Sequence, residues 1–380
     1  MQDIGIISVD DHLVEPPHLW ERWLPKKFAD RGPRVQRIPP GRDAWVFEDQ
    51  VNPIMGNAAA IGRSFDPGLQ EVTYDEMRPG CYDPVARLAD MDAAGMVASL
   101  NFPLVPGFSG TVFSTARDLE LGLACIRAYN DFMIDEWCAA APSRYIPMVL
   151  VPLWDPALAV AEIQRTAAKG ARAIAFTEDP VNQGFPSLHD PRHHWDPVFA
   201  AAQDAEMPLC VHMCSSSTVV AWREDRPQMT ELTLAHFNSI ISCVDWLTSG
   251  VFERFDGLKV CFSEGGIGWL PHVIEDCDRN FKNHARWTGS GLTSLPSTLV
   301  KDHIFGCFID DPHGARSVYE IGVDNVMVEV DYPHADSTWP DSEKVLKDQL
   351  QGVDEDELVK IFRGNAERIF HFTAPEASSS

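Results

Sequence analysis

Short apolar runs alternate with amphipathic stretches along most of the chain, and eight of the runs fall in an order that predicts parallel strands. They are IGIISVDDH from Ile4, MVASLNFP from Met96, YIPMVLVPL from Tyr145, ARAIAFTED from Ala171, PLCVHM from Pro208, LKVCFSEGG from Leu258, IFGCFID from Ile304 and VMVEVDYPH from Val326. Helical patterns lie between them, at Ala116 to Ala140, Ala157 to Ala168, Asp196 to Ala205, Leu234 to Phe252, Leu270 to Phe281 and Ala315 to Ile321, with a last one from Glu355 to Phe370. Strands separated by crossover helices define an α/β architecture, and eight of them predict one (β/α)8 TIM barrel over residues 1–372.

One stretch does not fit the repeat. From roughly Trp20 to Pro79 the chain is rich in Pro, Gly and Arg and carries Trp20, Trp23, Trp45 and Phe47. It follows the first strand, so it is expected to lie over the barrel mouth as a lid, since loops of this length are usually functional. The small, polar tail TAPEASSS, residues 373–380, is expected to be disordered.

Charge and composition narrow the partners. Formal net charge is −25, with 31 basic residues against 56 acidic ones, which opposes binding to nucleic acid and to anionic membrane surfaces. No run approaches the roughly 18 apolar residues that a spanning helix needs. The acidic N-terminus is unlike a signal peptide. Nine scattered cysteines, with no CxxC pair, read as reduced buried thiols, so a cytoplasmic protein acting on a small molecule is expected.

In a barrel the chemistry sits at the C-terminal strand ends, and polar residues end several of the runs. Strand one ends in Asp10, Asp11, His12 and then Glu15; strand four in Glu178 and Asp179; strand five in His212; strand six in Glu264; strand eight in Asp331, followed by His334. Residues two apart share a face, so Asp10 and His12 point into the barrel while Asp11 points away. With His212 and Asp331 they make a set of N and O donors suited to zinc, manganese or iron. Glu15 reads either as a further ligand or as a turn-capping residue. Glu264, followed by two glycines, reads as a general acid or base, as another ligand, or as a carboxylate bonded to the turn's own amides. Cys210 reads as core beside His212. His313 and His334 are candidates for substrate contact, and His334 for catalysis.

VDDHLVEP, PLCVH, FSEGGIGWLP and VDYPHADSTWP, in that order, resemble the amidohydrolase-related family that includes aminocarboxymuconate-semialdehyde decarboxylase and the resorcylate and salicylate-type decarboxylases. The resemblance covers nearly the whole chain. It implies a divalent metal bound by Asp10, His12, His212 and Asp331, and an assembly of dimers or larger. The chain departs from the family in having Asp10 where His or Glu is common, and Glu264 where the strand-six motif has a histidine.

The leading functional reading is a metal-dependent hydrolase or non-oxidative decarboxylase, with Glu264 transferring the proton. The carboxylate-rich donor set also fits a non-haem di-iron monooxygenase with Glu15 and Glu264 as additional ligands. The chain is similar in this respect to a di-iron hydroxylase of platensimycin and platencin biosynthesis in the same broad superfamily. A non-catalytic binding barrel is the third reading. For a hydrophobic carboxylate or thioester substrate, Trp20, Trp269 and Trp339 are candidate apolar contacts, and Arg42, Arg63 or Arg172 the candidate cation.

Overall fold

The computed structural model describes residues 4–62, 71–220 and 222–377. Arg63 lies outside the described residues. Eight parallel strands form the barrel: β1 (Ile6–His12), β2 (Met96–Phe102), β3 (Tyr145–Ile146 continuing as Met148–Leu150), β4 (Ala173–Phe176), β5 (Leu209–His212), β6 (Val260–Ser263), β7 (Ile304–Phe308) and β8 (Val326–Val328). Neighbours pair in sequence, and β8 returns to β1. Pro147 interrupts β3, because proline has no N–H to give a ladder. The piece before it pairs with β2 and the piece after it with β4, which closes the circle.

Every residue of β1 and β2 is buried, as strands covered on both faces require. The crossovers include α1 (Pro84–Ala93), α2 (Leu119–Phe132), α3 (Pro156–Ala167), α4 (Asp196–Asp204), α5 (Gln228–Thr248) and α6 (Leu270–Thr288). Asp83, Asp118 and Asp155 start α1, α2 and α3 by accepting amide hydrogens of the first turn. The helical patterns are correct in place and less so in extent. The stretch expected from Ala116 to Ala140 is α2 followed by a π-turn and a 3-10 turn, and the final pattern is broken by a π-turn at Lys360–Gly364. The pattern at Leu270 runs on to Thr288.

The insertion after β1 contains a three-stranded antiparallel sheet, Arg34–Ile38, Arg42–Phe47 and Gln50–Pro53. It is tied to the C-terminal strand ends: Ala60 N donates to Pro333 O at 2.9 Å, and the Tyr74 hydroxyl donates to Glu15 O at 2.6 Å. The tail departs from expectation. Ala374 is buried and its amide donates to Glu367 Oε1, so the start of the tail is docked on the last helix. Residues 378–380 lie outside the described residues. Among the described residues, no helix is long and apolar enough to cross a membrane.

Candidate metal centre

Alternation along β1 decides what its end presents. Asp10 and His12 face the barrel axis, and Asp11 faces outward into a buried polar seam. There it accepts from Ser8, Ser99 and the Tyr332 amide, with Arg87 of α1 at 3.7 Å. Arg87 is fully buried and donates to the carbonyls of His12 and Tyr332, joining the ends of β1 and β8. Past Val328 the regular ladder stops. The Ser8 hydroxyl accepts from the Val330 amide and the Asp10 carbonyl from the Asp331 amide, which brings Asp331 beside Asp10.

The side chains converge on one point. His12 Nε2 is 3.4 Å from Asp10 Oδ1, 3.3 Å from Asp331 Oδ1 and 3.2 Å from His212 Nε2. His212 Nε2 is 2.7 Å from Glu264 Oε2 and 3.5 Å from Asp10 Oδ2. His334 Nδ1 lies 2.9 Å from Asp331 Oδ1, and its ring is stacked on His12 with centroids 3.7 Å apart. Ligand atoms of Asp10, His12, His212 and Glu264 all lie within 4.8 Å of one another, as do those of His12, Glu264, Asp331 and His334. Cys210 and Cys214 belong to neither set.

A cation fits this arrangement on two grounds. Both carboxylate oxygens of Asp10 and of Asp331 are buried without a hydrogen-bond partner, a state too costly to persist without an electropositive guest. His212 Nδ1 lies 2.6 Å from the Met213 carbonyl, so it carries the proton and leaves the Nε2 lone pair facing the cluster.

Electrostatics follow from burial and crowding. Burial, then the neighbouring carboxylates, holds Asp10 well above the ordinary carboxylate range, and Asp331 likewise. Burial pushes His12 well below the usual imidazole value, with His334 and His212 adding to it. For Glu264 and His212 burial is the largest influence and opposes ionisation, but their mutual attraction together with the other neighbouring groups prevails: Glu264 is lowered and His212 raised.

Residues outside the motifs complete the site. Glu329, two before Asp331 and on the same face, is buried, and its Oε2 accepts from the Glu264 amide at 3.1 Å and from Cys307 Sγ at 2.7 Å. Burial lifts it to about 8. The same period-two rule that paired Asp10 with His12 points to it, so the signal was in the sequence. Phe108 lies against His212 and His12, with centroids 4.1 Å and 5.0 Å away, and nothing in its local sequence marks it. Asp311 accepts from the amides of Ile267, Gly268 and Gly314, and so holds the turn after Glu264. Glu264 itself has φ 55°, and Gly266, at φ 65°, takes the left-handed conformation at little cost. Glu178 accepts from Ser215, Ser216 and Asn238, anchoring the turn after His212.

A cavity of about 780 Å³ opens beside Glu264, lined among others by His236, Trp269, His313, Arg316 and Glu329. Of the apolar candidates, the structure brings only Trp269 to it. Trp20 is buried against Trp45 and Phe113, with Nε1 donating to the Cys125 carbonyl. Trp339 donates to the Asp90 carbonyl and lies under Arg78. Glu15 is not brought to the cluster, because its two oxygens accept from the amides of Leu104 and Val105, each at 3.0 Å. Arg172 precedes β4, exposed at the opposite barrel end, with its amide on Pro147 O. Arg42 is paired with Glu76. Arg316 lines the cavity.

The chain belongs to the amidohydrolase family, whose model matches residues 18–372. It is similar to a gamma-resorcylate decarboxylase of Rhizobium sp. (strain MTP-10005), 24% identical over 312 residues that cover 75% of this chain and 86% of that one. Among solved structures it resembles an amidohydrolase from Mycobacterium avium subsp. paratuberculosis K-10, with a TM-score of 0.75 at 24% identity over 96% of this chain and 99% of that chain. It also resembles the 5-carboxyvanillate decarboxylase of Novosphingobium aromaticivorans DSM 12444, complexed with manganese and 4-hydroxy-3-methoxy-5-nitrobenzoic acid. There the TM-score is 0.67 at 18% identity over 97% and 96% of the two chains.

Proposed function

We propose that the chain is a metal-dependent, non-oxidative decarboxylase of a small aromatic or hydrophobic carboxylate. The observation that carries this reading is the convergence of Asp10, His12, His212 and Asp331, with unpartnered carboxylate oxygens, at the mouth of an amidohydrolase barrel whose relatives include decarboxylases of aromatic acids. Those four residues would hold one divalent cation, with zinc, manganese and iron all compatible with the donors. When bound, it would orient the substrate carboxylate and draw charge from it.

The remaining chemistry falls to the chain. In ArCOO⁻ + H⁺ → ArH + CO₂, the bond from ring carbon to carboxyl carbon breaks, its electron pair stays on the ring, and that carbon takes a proton. Glu264 and His334 are partly exposed acid-base groups at the rim, with side-chain exposures of 12% and 14%, and they would relay it from solvent. Trp269 and Phe108 would hold the ring, and Arg316 an anionic substituent. The insertion over the strand ends would act as the lid of a single-domain enzyme.

We also read the exposed apolar face of α5 and α6 as a homodimer surface. Met229, Leu232, Phe237 and Ile241 on α5 and Trp287 on α6 are all exposed. An apolar face of this kind is where a strongly acidic chain associates with least repulsion.

The test is incubation of manganese-loaded protein with gamma-resorcylate and with 5-carboxyvanillate, measuring CO₂ release and the decarboxylated ring. Turnover that depends on added metal and disappears with chelation is expected. Hydroxylated product with oxygen uptake, and no CO₂, would instead indicate the monooxygenase chemistry.

A further inference from the structure

We infer that Phe108 decides which substrates the site accepts, as a fixed wall over its histidines, and that Glu15 is the positioning residue that holds it there. The selectivity rests on the function proposed above; the hold on Phe108 does not.

Glu15 is fully buried, three residues past His12, and takes no part in the reaction as proposed. Its carbonyl accepts from the Tyr74 hydroxyl of the insertion at 2.6 Å. Its two carboxyl oxygens accept one amide each, from Leu104 and Val105, just past the end of β2. From there the loop turns twice, Gly107 N donating to Leu104 O at 3.1 Å and Gly110 N to Gly107 O at 2.9 Å, with both glycines in the left-handed conformation. Its far end is tied to the turn after β5. The Ser109 and Thr111 hydroxyls donate to Ser215 O at 2.8 Å and 3.2 Å, and Gln183 Nε2 donates to both hydroxyls and to the same carbonyl. Only Pro106, Gly107 and Phe108 lie between the two anchorages, so the ring has little freedom to swing.

The Phe108 ring has its centroid 4.1 Å from that of His212, 5.0 Å from His12 and 6.5 Å from His334. These contacts leave no space for a ligand between the ring and the two inner histidines. The cavity lies on the other flank, beside Glu264 and Trp269. A substrate therefore reaches the centre from the Glu264 side and meets Phe108 as its far wall. A single ring stops in front of that wall, whereas a second fused ring directed at it collides, which is discrimination by a built-in clash.

The experiment compares the wild type with Phe108→Ala and Glu15→Ala as metal-loaded full chains. Calorimetric Kd values are measured, with manganese bound, for gamma-resorcylate, which has one ring, and for 3-hydroxy-2-naphthoate, which has two. The wild type should favour the single ring, and both variants should narrow that preference by about 10-fold or more, the scale on which a pocket discriminates by a carbon or two. A wild type without the preference, or an unchanged preference in Phe108→Ala, overturns the selectivity. The hold on Phe108 is read separately, from carbon NMR of the zinc-loaded chain with labelled histidine, because an aromatic ring shifts the signals of rings packed on it. Phe108→Ala moves the His12 and His212 signals, and Glu15→Ala should move the same two in the same direction with bound metal unchanged. Signals that keep their wild-type positions in Glu15→Ala overturn its positioning role, since a general loss of stability would leave them there. Binding of neither acid by any of the three proteins overturns the proposed function and the selectivity with it, while the histidine signals still decide the hold. Should Glu15→Ala not fold, Glu15→Gln, which keeps the size and one acceptor oxygen, should give the same shifts at smaller amplitude.

Discussion

His212 Nε2 and Glu264 Oε2 are 2.7 Å apart, joining the ends of the neighbouring strands β5 and β6 at the barrel mouth. In the metal-free protein this pair makes stability depend on pH. His212 is raised from an ordinary value of 6.5, so its contribution is full below that and is lost as pH rises through the raised value. Glu264 is lowered from 4.5, so its contribution is present above that and is lost as pH falls through the lowered value. The metal-free wild type should therefore gain most over Glu264→Gln between about pH 4.5 and 6.5, measured as the difference in Tm. A difference that does not vary with pH would show that the pair carries no charge.

Asp331→Ala should release the metal. It removes a proposed ligand whose recorded side-chain partners, His12 and His334, both belong to the cluster, so the fold should survive while metal retained after dialysis falls to background. Wild-type metal content in the variant would refute the assignment of the centre.

Glu264→Gln should slow decarboxylation by roughly 10²–10⁴-fold while leaving the metal bound, the range lost with a general acid or base. The check is kcat beside metal analysis, and unchanged kcat removes Glu264 from proton transfer.

Glu15→Ala should leave metal content unchanged and cost stability. Two partly buried amides, of Leu104 and Val105, lose their acceptor, at up to about 1–3 kcal/mol for each group left unsatisfied. Denaturant unfolding and metal analysis of the same sample distinguish this from a ligand role, in which metal would be lost.

Arg316→Ala should raise KM for an anionic aromatic substrate by about 10–100-fold, corresponding to roughly 1.5–3 kcal/mol for a hydrogen bond to a charged group. Arg172→Ala, at the far end of the barrel, should leave KM unaltered. Equal effects of the two would dismiss the cavity beside Glu264 as the binding site.

The barrel and the donors gathered at its mouth were legible along the chain because both rest on short-range periodicity. Apolar runs bounded by polar residues give the strands, and the period of two places Asp10 and His12 on one face and Asp11 on the other. What each polar side chain meets across the mouth is not encoded locally. Glu15, one position in the same acidic segment, is turned onto the amides of Leu104 and Val105 some ninety residues on, whereas Glu264 is turned into the cluster. Trp20 and Trp339 read like pocket residues until their indole N–H groups are found bonded to buried carbonyls. Arg172 and Arg316 are alike in sequence as exposed cations near strand ends. Chain order separates them, because Arg172 precedes its strand and Arg316 follows one, and the closed barrel then sets Arg316 on the cavity beside Glu264. The sequence by itself determined the strand order and the donors at the strand ends, since neighbouring residues dictate both. The tertiary structure decided which donors share a point in space and which carboxylates lack any other partner, because those depend on distances between strands that the chain order does not contain.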